Sequence, residues 1–342
     1  MKRIMYSKSV DARTSFIRSV FDQFAGVVDK IVYLAPKKFM ADITARISGA
    51  TLYPYEDVVK SNDIFNAADN RTLLVFDRPS RYKSITSNVF IRLSRAAAKY
   101  EYKCMVDIVP FTTGVEYLYC PLAFVDRGIL GYQHWYSYRE NNLEMTDTGE
   151  QVRAHDYNIL AAKLAPHADI DYADFLGNQV HTIDCPMDRQ EKAKYQTLRD
   201  RLFEENRTAS PIITTLADWT NIRPSRYAVL QDLLSDLPGK TIIYTNLAGH
   251  NRRLKKAVKG VDVKSFYDTN GGEEQYDNVI LFETPIVKNY LFLDVIANIK
   301  PDCPVYIFRS NVTVDKYLYK KMNDEYMAIN DFVKVLYKVV NK

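Results

Sequence analysis

The sequence predicts an α/β protein made of two tandem lobes, each a parallel sheet covered by helices, joined by a helical connector. Three observations point there. Apolar strand-like runs alternate with amphipathic helical stretches from Asp29 onward, the pattern of a parallel sheet with crossover helices. The alternation lapses between about Glu144 and Ser210 and then returns. Finally, 342 residues exceed the length at which one hydrophobic core usually stops growing.

In the first lobe, expected over 1–143, KIVYLAP (Lys30 to Pro36) reads as a strand followed by the helix-like KKFMADITARISG. TLYPYEDVV and the strand TLLVF come next, and a further strand is expected around KCMVDIV (Lys103 to Val109). GYQHWYSYREN, from Gly131 to Asn141, reads as an aromatic loop-rich region. The connector, expected over 144–210, contains the polar, helix-compatible MDRQEKAKYQTLRDRLFEE. The second lobe, expected over 211–342, opens with a helix around RYAVLQDLLSDL and the strand KTIIYTN (Lys240 to Asn246). A basic helix, GHNRRLKKAVKG, leads to strands at VDVKSFY, NVILFET and VYIFRS.

Composition is that of a folded protein, with 47% hydrophobic and 26% charged residues. No apolar run reaches the roughly 18 residues of a membrane span, and MKRIMYSKSVDARTSF lacks a signal peptide's apolar core, so a cytosolic protein is expected. Cys104, Cys120, Cys185 and Cys303 lie far apart without Cys-x-x-Cys pairing, and His134, His155, His167, His181 and His250 show no ligand spacing. Reduced, buried thiols and no metal or other cofactor are therefore expected. A net charge of +4 permits nucleic-acid binding without demanding it. The 25 tyrosines could stack on bases or serve as core and rim residues.

Two short stretches bear on nucleotide chemistry. Pro238-Gly239-Lys240-Thr241 contains Gly-Lys-Thr, but a phosphate loop needs another glycine where Leu234 stands. Helix also precedes and strand follows, the reverse of the order that aims a helix N-terminus at an anion. A turn before a strand explains it. TLLVFDRPSRYK, from Thr72 to Lys83, places Asp77 where a buried parallel strand could present a magnesium-binding carboxylate. The next residue is Arg78.

Taken in order, these segments resemble the tandem RecA-like core of superfamily 2 helicases, and more closely its Swi/Snf-type DNA translocases. KIVYLAPKKF is similar to the strand and loop that touch the DNA backbone in that family, and LLVFDRPSRYK to its DE-x-H or DE-x-S strand. VDIVPFTTGVEYLYCPLAFVDRGILGYQHWYSYREN resembles the stretch that begins with Thr-Gly-Thr-Pro, of which Pro110 alone is retained. MDRQEKAKYQTLRDRL and RYAVLQDLLSDLPGKTIIYTN follow the connector and the first strand of the second lobe, and the segment from Tyr276 to Met322 follows the closing section.

The departures fall on the groups that hydrolysis requires. A motor of this family uses a glycine-rich loop with lysine, whereas SVDARTSFIRSVFDQF before KIVYLAP has no glycine and no lysine in position. It uses an acid after the metal-binding Asp to activate water, and Arg78 stands there. Its arginine fingers correspond to Val295 and Asn298, and the accompanying helix glutamine to Leu291. The resemblance therefore implies a catalytically inactive helicase-like protein with no ATP cofactor, in which Asp77 is a leftover strand-end acid that pairs with Arg78, Arg81 or Lys83.

What the resemblance leaves is binding to DNA, single- or double-stranded. Lys37 and Lys38 follow the strand that contacts phosphate in the family; Thr245 and Asn246 end a second-lobe strand; Arg252, Arg253, Lys255, Lys256 and Lys259 crowd the next helix. Arg252, Lys255, Lys256 and Lys259 fall at i, i+3, i+4 and i+7, one face without an acid, either a phosphate track or a solvated surface. The expected role is support of an active helicase, nuclease or other replication or recombination protein. The alternatives are a protein-interaction module that does not engage nucleic acid and an ATPase completed in trans. The trimmed framework is consistent with a viral or mobile-element genome.

Overall fold

The computed structural model describes all residues except 1–2, 59, 83, 146–150, 155, 172–179, 206–207, 247, 269–274, 285–289, 301 and 342. The chain divides into two compact units, Met1–Leu176 with Glu325–Lys342, and Gly177–Asp324.

The first unit contains strands β1 (Ile4–Tyr6), β2 (Lys30–Ala35), β3 (Ala50–Pro54), β4 (Thr72–Asp77), β5 (Tyr102–Asp107), β6 (Leu143–Met145), β7 (Gln151–Ala154) and β8 (Ala168–Ile170). Its helices are α1 (Val10–Gln23), α2 (Met40–Arg46), α3 (Tyr55–Val58), α4 (Asp63–Asn66), α5 (Asn88–Ala97), α6 (Tyr119–Val125), α7 (Trp135–Asn142) and α8 (Tyr157–Leu164). Six strands form one sheet in the order β3-β2-β4-β5-β1-β8, with parallel pairing throughout. Every residue of β4 is buried, as an inner strand covered on both faces must be, and this explains its continuous apolar run. Beneath one face, Ile17 and Val20 of α1 pack with Tyr33, Leu73, Val75 and Val106.

The second unit contains β9 (Val180–Asp184), β10 (Thr241–Thr245), β11 (Asp262–Ser265), β12 (Asn278–Leu281) and β13 (Val305–Arg309). Its helices are α9 (Arg189–Glu205), α10 (Ala209–Asn221), α11 (Pro224–Asp236), α12 (Ala248–Ala257), α13 (Tyr290–Ala297) and the start of α14 (Val314–Val340). The sheet order is β11-β10-β12-β13-β9, again parallel. Leu230, Ile243, Leu254, Val263, Ile280 and Phe308 form its core, and each such side chain, fully buried, is worth about 1.5–3 kcal/mol.

The expected α/β class and the two parallel sheets are present; the boundaries differ. The stretch expected as a helical connector, 144–210, supplies β8 to the first sheet and β9 to the second, besides α8 and α9. β8 is too short to carry a period, and β9, reading VHTID with two exposed ends of its alternation, lacks an apolar run. The last residues, expected with the second lobe, belong to the first unit. There Ile329, Phe332, Val333 and Leu336 are buried at helical spacing and Phe332 meets the Phe111 ring at 5.4 Å. The aromatic stretch expected as loop contains α7. The turn before β10 is as expected: Gly239 adopts φ 78°, between α11 and β10, and a Cβ there would meet the Asp277 carboxylate at 2.4 Å.

Candidate functional site

The carboxyl ends of the first sheet bring together residues that lie far apart in sequence. β1 ends at Tyr6, and the chain reaches α1 through only Ser7, Lys8 and Ser9. Ser9 caps that helix by accepting from the Ala12 amide at 3.1 Å. The Arg13 guanidinium, on the first turn of α1, donates to the carbonyls of Ser7 and Lys8. Lys8 and Arg13 are both buried. This lysine in the loop after the first strand lies one residue ahead of the window in which the sequence suggested a missing phosphate loop. β1 carries only three residues, too few for its alternation to be read.

Asp77 ends β4, and one of its oxygens accepts from the Tyr33 hydroxyl at 3.0 Å. The other lies 3.8 Å from Nε of Arg78; of the partners expected for Asp77, Lys83 lies outside the described residues. Arg78 is the one described non-glycine residue with positive φ, at 59°, a conformation that costs an arginine of the order of 1–2 kcal/mol. Its amide donates to Val106 at 2.8 Å, and its guanidinium lies 3.6 Å from the centre of the Phe39 ring. Lys38 and Arg81 approach the same ring at 5.0 and 5.4 Å. Thus Lys38, Arg78 and Arg81 converge on Phe39. Lys37 is exposed, and its amide donates to Glu56 at 3.0 Å.

A second acid is present, though not in the position read from sequence. Asp107, at the end of β5, accepts from the amides of Ser80 at 2.9 Å and Ile108 at 2.7 Å. Burial pushes its carboxyl up to about 6, against those hydrogen bonds and with a smaller contribution from Asp77. Burial, followed by the Asp77 charge, also drives the Tyr33 hydroxyl well upward. Pro110 lies buried just beyond β5. The cavity beside Asp77, Arg78, Arg13 and Phe39 measures about 10 Å³, about one water molecule's worth of space.

The positions read from sequence in the second unit divide in two. Thr245 and Asn246, at the end of β10, are buried. The Asn246 amide donates to Glu283 at 2.6 Å and its side chain to the Thr284 carbonyl at 2.8 Å. Glu283 also pairs with Nδ1 of His250, and that hydrogen bond raises the imidazole's pKa against the opposing effect of burial. Leu291 and Val295 on α13, and Asn298 just after it, are buried too, with Asn298 donating to the Asp294 carbonyl at 2.6 Å.

By contrast, Arg252, Arg253, Lys255, Lys256 and Lys259 are all exposed. Helix α12 buries His250 and Leu254, with Val258 just beyond its end, a stripe at i, i+4 and i+8 that turns the cations outward. Lys259 is not on that helical face, because α12 ends at Ala257 and Gly260, with φ 76°, redirects the chain. Three of the four expected face residues therefore share the helix. Among the described residues, none of the five cations has an ion pair.

The large buried cations of this unit serve structure. Arg226, fully buried, donates to Asp315 at 2.6 Å and to the carbonyls of Phe282 and Phe308. Arg223 reaches Glu191 at 3.2 Å and the carbonyls of Cys185 and Thr220. Among the described residues no cluster of His, Cys, Asp or Glu could hold a metal ion, and no helix is long and apolar enough to cross a membrane. His155 lies outside them. The four cysteines are buried and unpaired by disulfides.

No family model and no curated protein matches the chain. Solved structures do. The chain is similar to the SWI2/SNF2 ATPase core of Sulfolobus solfataricus in complex with double-stranded DNA, at 11% identity and TM-score 0.44, over 96% of this chain and 88% of that one. The same archaeal core domain without DNA gives 11% identity and TM-score 0.42, over 96% and 85%. The helicase domain of Pyrococcus furiosus Hef gives 10% identity and TM-score 0.50, over 94% of this chain and 95% of that chain. The likeness in fold rests on the last of these and on the two parallel sheets. In fold, the chain is a helicase-like α/β protein of two parallel-sheet, RecA-like units.

Proposed function

We propose that this protein is a helicase-fold scaffold that does not hydrolyse ATP and that holds nucleic acid on the cationic surface of α12, in support of an active replication or recombination enzyme. The observation that carries the binding reading is the set Arg252, Arg253, Lys255, Lys256 and Lys259, exposed and without ion pairs among the described residues. Such cations gain by displacing counterions from a phosphate backbone. The exposed Lys37 of the first unit is a further contact in this reading. Thr245 and Asn246 are not: both are buried, and the Asn246 amide and side chain are engaged with Glu283 and Thr284.

The reading of inactivity rests on the first sheet's edge, where the residues do not fit a magnesium-bound triphosphate. Arg78 places a guanidinium beside Asp77 where a motor would place a second carboxylate. Arg13 binds the backbone carbonyls of the short loop after β1, and the cavity lined by Arg13, Phe39, Asp77 and Arg78 measures only about 10 Å³.

Fluorescence anisotropy of labelled single- and double-stranded DNA, across a salt series, tests the binding reading. The wild-type protein binds with submicromolar affinity at low salt, and affinity falls steeply as salt rises. Changing Arg252, Arg253, Lys255 and Lys256 together to alanine abolishes most of that binding. Absence of binding at low salt would instead favour a protein-interaction module.

A further inference from the structure

We propose that the first unit carries a separate site in which a nucleobase of single-stranded nucleic acid is held between an aromatic wall and two arginines. A pocket of about 420 Å³ opens between α5 and the chain running from α6 into α7, within the range of small-ligand sites. Arg95, Tyr119, Arg127, Trp135 and Tyr136 carry the argument. Trp135 is half-buried, and Tyr136 stands 61% exposed beside it, with ring centroids 5.3 Å apart and planes at 76°. The wall is fixed from below: Tyr119 donates to the Gln133 carbonyl at 2.9 Å and stacks on buried Tyr138 at 5.6 Å.

An exposed aromatic pair over a cavity gives up burial that packing would reward, and π-faces of this kind accept bases of any sequence. Arg95 and Arg127 are exposed, neither has an ion pair among the described residues, and no carboxylate lines the pocket. A flat ligand carrying negative charge suits both the aromatic wall and the two arginines, and a nucleotide has that chemistry. The open position of Tyr136 leaves a path for a strand to continue past the bound base. This site belongs to different residues from those of α12, so it can stand or fall independently of that contact.

The chain has two tryptophans, and Trp219 packs against Tyr195 in the second unit. In a Trp219→Phe background, the emission of Trp135 reports the pocket alone. A short oligothymidylate quenches it saturably, and the Arg95→Ala, Arg127→Ala double variant weakens that binding by about tenfold or more. Both arginines are exposed, so the double variant retains the wild-type melting temperature. Alanines on α12 leave the quench in place. The proposal is overturned if the oligonucleotide gives no saturable quench, if the arginine variant binds equally well, if thymidine monophosphate binds as tightly as the strand, or if an acidic aromatic peptide outcompetes it.

Discussion

A single arginine, Arg78, changes the character of the first sheet's edge. It accepts a left-handed backbone at φ 59° and places its charge between Asp77 and the face of Phe39, so the strain is offset by an ion pair and a cation–π contact. Asp107 is the acid whose titration reports on this edge. Its carboxyl is raised to about 6 by burial, whereas an unfolded aspartate titrates near 3.9. Between about pH 4 and 6 the native protein thus binds more protons than the unfolded chain, and this group's contribution to stability falls as pH rises through that window. Urea midpoints of wild type and Asp107→Asn, compared from pH 4 to 7, should show a falling segment in the wild type that the asparagine variant lacks. In the second unit Arg226 binds Asp315 and two strand-end carbonyls with no exposure to solvent. Arg226→Met leaves the buried Asp315 carboxylate uncompensated and should cost about 3–5 kcal/mol by chemical denaturation; a loss below about 1 kcal/mol would contradict this account of the network.

At the scale of elements, the exposed cations of α12 act as a group because Leu254 and His250 anchor the opposite side of the helix. Each phosphate contact contributes about 0.9 to the slope of log affinity against log salt on duplex DNA. The quadruple alanine variant should therefore flatten the slope by about 3–4, while its melting temperature stays close to that of wild type. An unchanged slope would assign binding to other residues. The same scale shows what could be read in the sequence. β2, β4, β5, β10, β12 and β13 were legible because buried parallel strands are short apolar runs with breaks at either end. β1 and β8 have three residues each and β9 is half polar, so their places depend on neighbours that periodicity does not describe. The Asp77–Arg78 pair could be read because both residues are adjacent in sequence. Lys8, Arg13 and Asp107 could not, because only the placement of β1 beside β5 brings them to the same edge. Thr245 and Asn246 end β10 and are buried, and Asn246 is tied to Glu283, which lies 37 residues beyond it, a pairing that position at a strand end does not show.

For the whole molecule, the proposal of an inactive helicase-like fold rests on a first sheet edge whose charged groups are engaged internally. The short loop after β1 is tied back by Arg13, Arg78 follows Asp77, and Val295 and Asn298, the positions that the resemblance gives to the arginine fingers, are buried. On this reading several groups of one chemical step are missing together, so restoring one should not restore turnover, and Arg78→Glu alone should stay inactive. Steady-state phosphate release from ATP, with magnesium and saturating duplex DNA, is the most direct measurement of this claim. The account predicts release no faster than the protein-free blank and identical in Asp77→Asn. DNA-stimulated release that disappears in Asp77→Asn would contradict it and make Asp77 a working catalytic acid.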